Sequence, residues 1–235
     1  MGILGLDTAT ADTVAAVTID GETVSEARAG PDPGARPRHA SRLLAEIETV
    51  VGAAGGWERI DRIAVGIGPG SFTGLRVGIA TARALGQGRG LPMVAVGSLA
   101  ALARGIGERE PDRDSLALID ARRGEVFAAL FDREGQELWS PMVVAPEAFG
   151  ERLAELGRPV VAGGDGSLRF RQQLQSVGVE VLPDADTAHR MAARHVCVLA
   201  AGIEPGLPID VKPAYLRRPD AEVWREQRDH DPGPG

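Results

Sequence analysis

Two aspartates end short apolar runs: Asp7 follows Ile3-Leu-Gly-Leu, and Asp120 follows Leu116-Ala-Leu-Ile. A carboxylate at the end of a buried strand can serve a metal or phosphate site in a cleft. It can also close a turn by accepting backbone N–H groups. The following residues favour the turn, because 8–13 (Thr-Ala-Thr-Ala-Asp-Thr) has no glycine-rich phosphate turn and Asp120 is followed by Ala-Arg-Arg. Gly66-Ile-Gly-Pro-Gly-Ser-Phe-Thr-Gly74 invites a phosphate loop, but it lacks the lysine of Gly-x4-Gly-Lys-Ser/Thr, the spacing of Gly-x-Gly-x-x-Gly and the Gly-x-Ser-x-Gly elbow. The histidines are His39, His189, His195 and His230, with no i, i+4 pair. At ~100° per residue, 189 and 195 fall on different helical faces, so a zinc pair from one helix is excluded and solvated or capping histidines are expected. Arg36, Arg38 and Arg42 form a small basic patch, read as a solvated face first and a docking site second.

The most informative pattern is a row of small residues, Gly70, Gly74, Gly78, Ala82 and Gly86, at every fourth position. Glycine costs a helix interior up to ~1 kcal/mol, so such a row needs a packing reason. Small residues on an i±4 row let a second element approach closely. The pattern alone leaves packing inside the domain level with a subunit interface, with Leu75 and Ile79 on the core side.

The elements that carry these residues follow from hydrophobic periodicity. Residues 3–7, 14–19 and 22–27 read as strands with a hairpin at Asp20-Gly21. A helix over 37–53 is marked by Leu43, Leu44, Ile47, Val50 and Val51, and a second spans 71–88 with Ser71 as N-cap. Strands at 60–67 and 93–96 flank that helix, and 105–115 reads as a charged linker. The pattern then restarts. Leu116 to Asp120 echoes Ile3 to Asp7, and Val160-Val-Ala-Gly-Gly-Asp-Gly-Ser167 echoes Ile63 to Ser71, in the same order. Two ordered echoes imply an internal duplication of a strand meander followed by βα units. The expected class is α/β, two mixed-sheet domains flanked by helices, at 1–104 and 105–218, with 219–235 a flexible tail. The RNase H-like fold, used twice by the actin, Hsp70 and sugar-kinase group, has this shape.

Composition removes several classes. The 235 residues carry 26 basic and 33 acidic side chains, a formal charge of −7, so the surface as a whole does not attract phosphate backbones. Aromatics at 4% argue against a dedicated base-stacking platform. One cysteine, Cys197, forms no internal disulfide, and no apolar run approaches ~20 residues, so a cytoplasmic protein without a membrane span is expected.

Taken in order, Ile3-Leu-Gly-Leu-Asp-Thr-Ala-Thr10, Arg38-His-Ala-Ser-Arg-Leu-Leu44, Gly68-Pro-Gly-Ser-Phe-Thr-Gly-Leu-Arg-Val-Gly78, Asp120-Ala-Arg-Arg-Gly-Glu-Val-Phe127, Gly163-Gly-Asp-Gly166 and Pro213-Ala-Tyr-Leu-Arg217 resemble the TsaB (YeaZ) family. The resemblance covers residues 3 to about 217. It implies a non-catalytic relative of the TsaD transferase that pairs with TsaD and, with TsaE, forms the complex that threonylcarbamoylates the adenosine beside the anticodon in tRNAs reading A-starting codons. It implies contact with tRNA only through that complex, a homodimer when alone, and no cofactor or metal. TsaD-like proteins carry His-x-x-x-His after the strand equivalent to 93–96; here Gly97-Ser-Leu-Ala-Ala-Leu102 stands there. The family's partner surface would fall on the first two helices, at Leu43, Leu44, Ile47, Gly70, Gly74, Gly78 and Ala82, so Gly74→Leu or Gly78→Leu should abolish pairing in a folded monomer. The alternatives are an ATP-dependent phosphotransferase of the actin-like fold and a metallopeptidase.

Overall fold

The computed structural model describes residues 1–31 and 37–217. Strands β1 (Gly2–Asp7), β2 (Thr13–Ile19) and β3 (Glu22–Ala29) form an antiparallel meander. Its second turn uses Asp20 (φ 50°) and Gly21 (φ 87°), the left-handed pair that a two-residue hairpin requires. After α1 (His39–Ala53), β4 (Arg62–Gly66) pairs in parallel with β1. After α2 (Phe72–Arg89), β5 (Met93–Val96) pairs in parallel with β4, giving the order β3-β2-β1-β4-β5. Ser71 is the N-cap of α2, its hydroxyl accepting the Gly74 N–H at 3.2 Å. Helix α1 begins two residues later than the periodicity suggests, with Arg38 as an N-cap that makes no side-chain hydrogen bond.

The second half repeats the first. Strands β6 (Asp114–Arg122), β7 (Glu125–Phe131) and β8 (Glu137–Val144) form a meander, and β9 (Val160–Gly163) and β10 (Glu180–Val181) add in parallel, in the order β8-β7-β6-β9-β10. The matching extends to register, with Asp7 opposite Val14 and Asp120 opposite Val126. Helices α4 (Phe149–Leu156), α5 (Asp165–Arg169) and α6 (Arg171–Ser176) accompany this sheet. The architecture is the duplicated RNase H-like fold expected from the internal echoes.

The expected linker at 105–115 is not there. Residues 98–109 form α3 (Ser98–Arg109), which buries Gly105 and Ile106 while exposing its charged residues, so a boundary at 104/105 would cut a helix. Helix α3 packs on β6, β7 and β9 of the second sheet, whereas α7 (Ala193–Ala201) packs on β1, β2 and β4 of the first. Each half therefore lends a helix to the other. The apolar core between the sheets draws on both, including Ile3, Val14, Leu102, Ile106, Phe127 and Val196. Separate cores lie under α1 and α2 on one outer side and under α4 and α6 on the other. Among the described residues, no helix is long and apolar enough to cross a membrane. The segment 219–235, Arg36 and His230 lie outside the described residues.

Candidate functional site

The ends of β1 and β6 meet at a cleft of about 490 Å³. It is completed by the start of α2, the β6–β7 turn and the irregular segment 214–217. The fold brings only one of the two strand-end aspartates to it. Asp120 lines the cleft, with Oδ1 accepting the Arg122 N–H at 2.8 Å and Oδ2 accepting from Arg169 Nη1 at 2.7 Å. Asp7 lies behind the wall, 1% exposed. Its Oδ1 accepts the Ala9 N–H and its Oδ2 the Ser98 hydroxyl, both at 2.6 Å. Ser98 Oγ in turn accepts the Gly68 N–H at 3.1 Å, so the carboxyl ties β1 to the start of α3 and to the loop before α2. Burial pushes Asp7 up from 3.8 to about 6, against the two hydrogen bonds that lower it. Gly66 is obligatory beside it, because a Cβ there would overlap the Asp7 carboxylate. This is the turn-closing use of a strand-end aspartate, with both oxygens engaged inside the protein.

Asp165, which was not singled out from the sequence, also lines the cleft. Its Oδ1 accepts the Asp120 N–H at 3.0 Å, and burial is the first cause of its raised pKa, with the neighbouring Asp120 charge adding to it. The signal that could have found it is the Gly163-Gly-Asp-Gly166 echo of the first-half loop. Among the described residues, no three His, Cys, Asp or Glu side chains are gathered to hold a metal ion.

The three histidines among the described residues are not solvated, contrary to expectation. His39, His189 and His195 are buried. His39 Nδ1 shares a hydrogen bond with Thr13 Oγ1 at 2.8 Å, His189 sits among Ser167 and the Gly164, Leu182 and Pro183 carbonyls, and His195 Nε2 meets Glu108 at 3.0 Å. His39 ties the start of α1 to β2, His189 ties its turn to the loop before α5 and to the segment after β10, and His195 ties α7 to α3, roles visible only once distant segments meet. Arg38 and Arg42 are exposed at the start of α1, as expected of a solvated face.

The small-residue row needs the larger correction. Gly74, Gly78, Ala82 and Gly86 are buried inside the subunit, and Gly70 precedes the helix. A Cβ at 70, 74 or 78 would overlap Ala9, the Thr8 carbonyl or the Thr8 hydroxyl respectively, and at 86 it would press on Pro208 and Leu91. The row lets α2 lie directly on the end of β1, so its contact is made within the domain. Leu43 and Ile47, each 1% exposed, belong to the core under α1. Of the seven expected contact residues only Leu44, 52% exposed, is on an open helix face, while Gly70 lines the cleft. That face also carries Ala40, Ala45 and Glu48 on α1 and Thr73, Ala80 and Ala84 on α2. The two helices touch on the same side of the first sheet, and their exposed residues are mostly small, with Arg42, Glu48, Arg76 and Arg89 as the exposed charges.

Comparison with known proteins agrees with the fold and the motifs. The family described as TsaD: tRNA N6-adenosine threonylcarbamoyltransferase matches residues 23–204. The tRNA threonylcarbamoyladenosine biosynthesis protein TsaB of Escherichia coli is 34% identical over 225 residues, which is 92% of this chain and 95% of that protein. An uncharacterized protein of Mycobacterium tuberculosis is 32% identical over 231 residues, 94% of this chain and 93% of that one. Among solved structures, one from Pseudomonas aeruginosa, described as similar to peptidase YEAZ, has a TM-score of 0.76 at 27% identity, covering 92% of this chain and 99% of that chain. YeaZ from Pseudomonas aeruginosa has a TM-score of 0.73 at 25% identity, covering 91% and 100%. With the duplicated sheets, the motifs from Asp7 to Arg217 and a match to TsaB over nearly its whole length, this chain belongs to the TsaB (YeaZ) family.

Proposed function

We propose that this protein is the non-catalytic subunit of a tRNA threonylcarbamoyladenosine complex. It pairs with a TsaD-type transferase, with TsaE joining the larger assembly, and supports threonylcarbamoylation of the adenosine beside the anticodon in tRNAs reading A-starting codons. The observation that carries this reading is the near full-length likeness to Escherichia coli TsaB. The engaged Asp7 supports a non-catalytic role: a carboxylate whose two oxygens bind Ala9 and Ser98 has no open face for a metal or phosphate.

The partner surface in this reading is the open face of α1 and α2, centred on Leu44 with Ala40, Ala80 and Ala84. Two helices with small outward residues leave shallow grooves into which the ridges of two further helices fit, completing a four-helix layer with TsaD or, for the isolated protein, with a second copy. The test is reconstitution with TsaD, TsaE, threonylcarbamoyl-adenylate and unmodified tRNA. Modification that depends on this chain supports the role, and equal modification without it contradicts the role.

A further inference from the structure

The turn between β6 and β7 has a backbone that its side chains do not favour. Arg122 pairs with Glu125 across the ladder, and the loop between them is Arg123-Gly124. The φ angles are 64° at Arg122, 55° at Arg123 and 82° at Gly124. Two-residue hairpins with left-handed positions ordinarily use Asn-Gly or Asp-Gly, as β2–β3 does with Asp20-Gly21. An L side chain such as arginine is disfavoured there. Both arginines are exposed, the Arg122 side chain by 75%, so burial does not offset the cost. Arg122 Nη1 makes a surface ion pair with Asp120 Oδ2 at 3.2 Å, and a strained backbone held by exposed contacts at a cleft is where a function is to be sought.

This turn stands at the interdomain cleft. Arg122, Arg123 and Arg217 line it, while the carboxylates of Asp120 and Asp165 are recessed, the Asp120 side chain being only 9% exposed. Phe72 and Tyr215 line the same cavity, with ring centroids 5.1 Å apart. Arg76 covers the Phe72 ring at 3.9 Å and donates to the Tyr215 hydroxyl at 3.3 Å, which holds the pair in place. A phosphate monoester deep in the cleft would meet two carboxylates. A phosphodiester crossing the mouth would meet arginines, and the adjoining base would find an aromatic surface.

We propose that the mouth of this cleft contacts single-stranded RNA, with Arg122 and Arg123 on the phosphodiester and Phe72–Tyr215 under a base. The inference rests on the proposed role only in taking RNA as the strand. Its test uses the isolated chain, so it is read whether or not a TsaD partner binds. The probe is a 5′-fluorescein single-stranded RNA 10-mer followed by anisotropy at 50 and 200 mM salt, with AMP titrated separately by calorimetry. The wild-type chain should bind at 50 mM salt with a Kd of roughly 10⁻⁴–10⁻⁶ M and more weakly at 200 mM. Arg122→Asn/Arg123→Asn should weaken binding at least about tenfold and flatten the salt slope by about 1.4, the share of two phosphate contacts on a single strand. Its Tm should be unchanged or higher, because asparagine tolerates the left-handed region. Tyr215→Ala should weaken binding by roughly 5- to 100-fold. Equal RNA affinity of the wild type and the arginine variant would overturn the inference, as would AMP binding without RNA binding or no RNA binding at 50 mM salt.

Discussion

Thr8 closes over the first turn of α2 at Gly74. Its hydroxyl donates to the Gly74 carbonyl at 2.7 Å, and its own carbonyl oxygen fills the space that a Cβ at 74 would take. The close approach of β1 and α2 therefore depends on glycine at this position. Gly74→Ala should lower the stability of the monomer by about 2–3 kcal/mol or prevent folding, because the obstacle is backbone and cannot rotate away. Gly88 on the same helix has nothing within 4 Å of a Cβ. Gly88→Ala should instead stabilise by about 0.5–1 kcal/mol. Urea denaturation of both variants checks the pair, and equal small effects would contradict this packing.

The buried Asp7 makes a pH prediction. Its folded pKa is raised from 3.8 to about 6, so the folded state binds this proton more tightly than the unfolded chain does. The associated stability is present in acid and is lost as pH rises through about 4 to 6. Asp7→Asn keeps an acceptor for Ala9 and gives Ser98 a donor, without a charge to bury. The variant should gain on the wild type by roughly 3 kcal/mol between about pH 4 and pH 8. Burial also lowers His39 and His195, which adds stability as pH rises through about 6.5 in both proteins and cancels in the difference. Denaturation curves at four pH values measure it, and a pH-independent difference would contradict it.

Neighbouring leucines on α1 should behave in opposite ways. Leu43 is in the core and Leu44 is on the open face. Leu43→Ala should cost about 2–5 kcal/mol of monomer stability. Leu44→Asp should change stability by no more than about 0.5 kcal/mol yet abolish association with the TsaD partner. Thermal melts and co-purification of the two variants separate folding from binding, and a Leu44→Asp variant that still co-purifies would place the interface elsewhere.

Much of the fold was legible because the signals are local. The alternating strands, the Asp20-Gly21 hairpin, the Ser71 cap and the repeat of Ile3–Asp7 in Leu116–Asp120 all act over a few residues. What the sequence hid is decided by distant partners. Gly105 and Gly107 among charged neighbours look like a linker, yet in α3 they admit His195 and lie near Ser115. The glycine row announces a close approach but not what approaches, and the answer, Thr8, is 66 residues away. Burial of His39, His189 and His195 follows from contacts with Thr13, Ser167 and Glu108, which are 26, 22 and 87 residues away and which no spacing reveals. Asp7 and Asp120 look equivalent in sequence, and they differ because Ser98 of α3 claims the first while the second opens onto the cleft.

The central claim is that this chain acts by pairing with a TsaD-type transferase. Light scattering coupled to size-exclusion chromatography, with the TsaD of the same organism and with ATP titrated into the isolated chain, tests it most directly. A 1:1 complex, with no heat from ATP alone, is the predicted result. Stoichiometric ATP binding by the isolated chain together with no complex would contradict it.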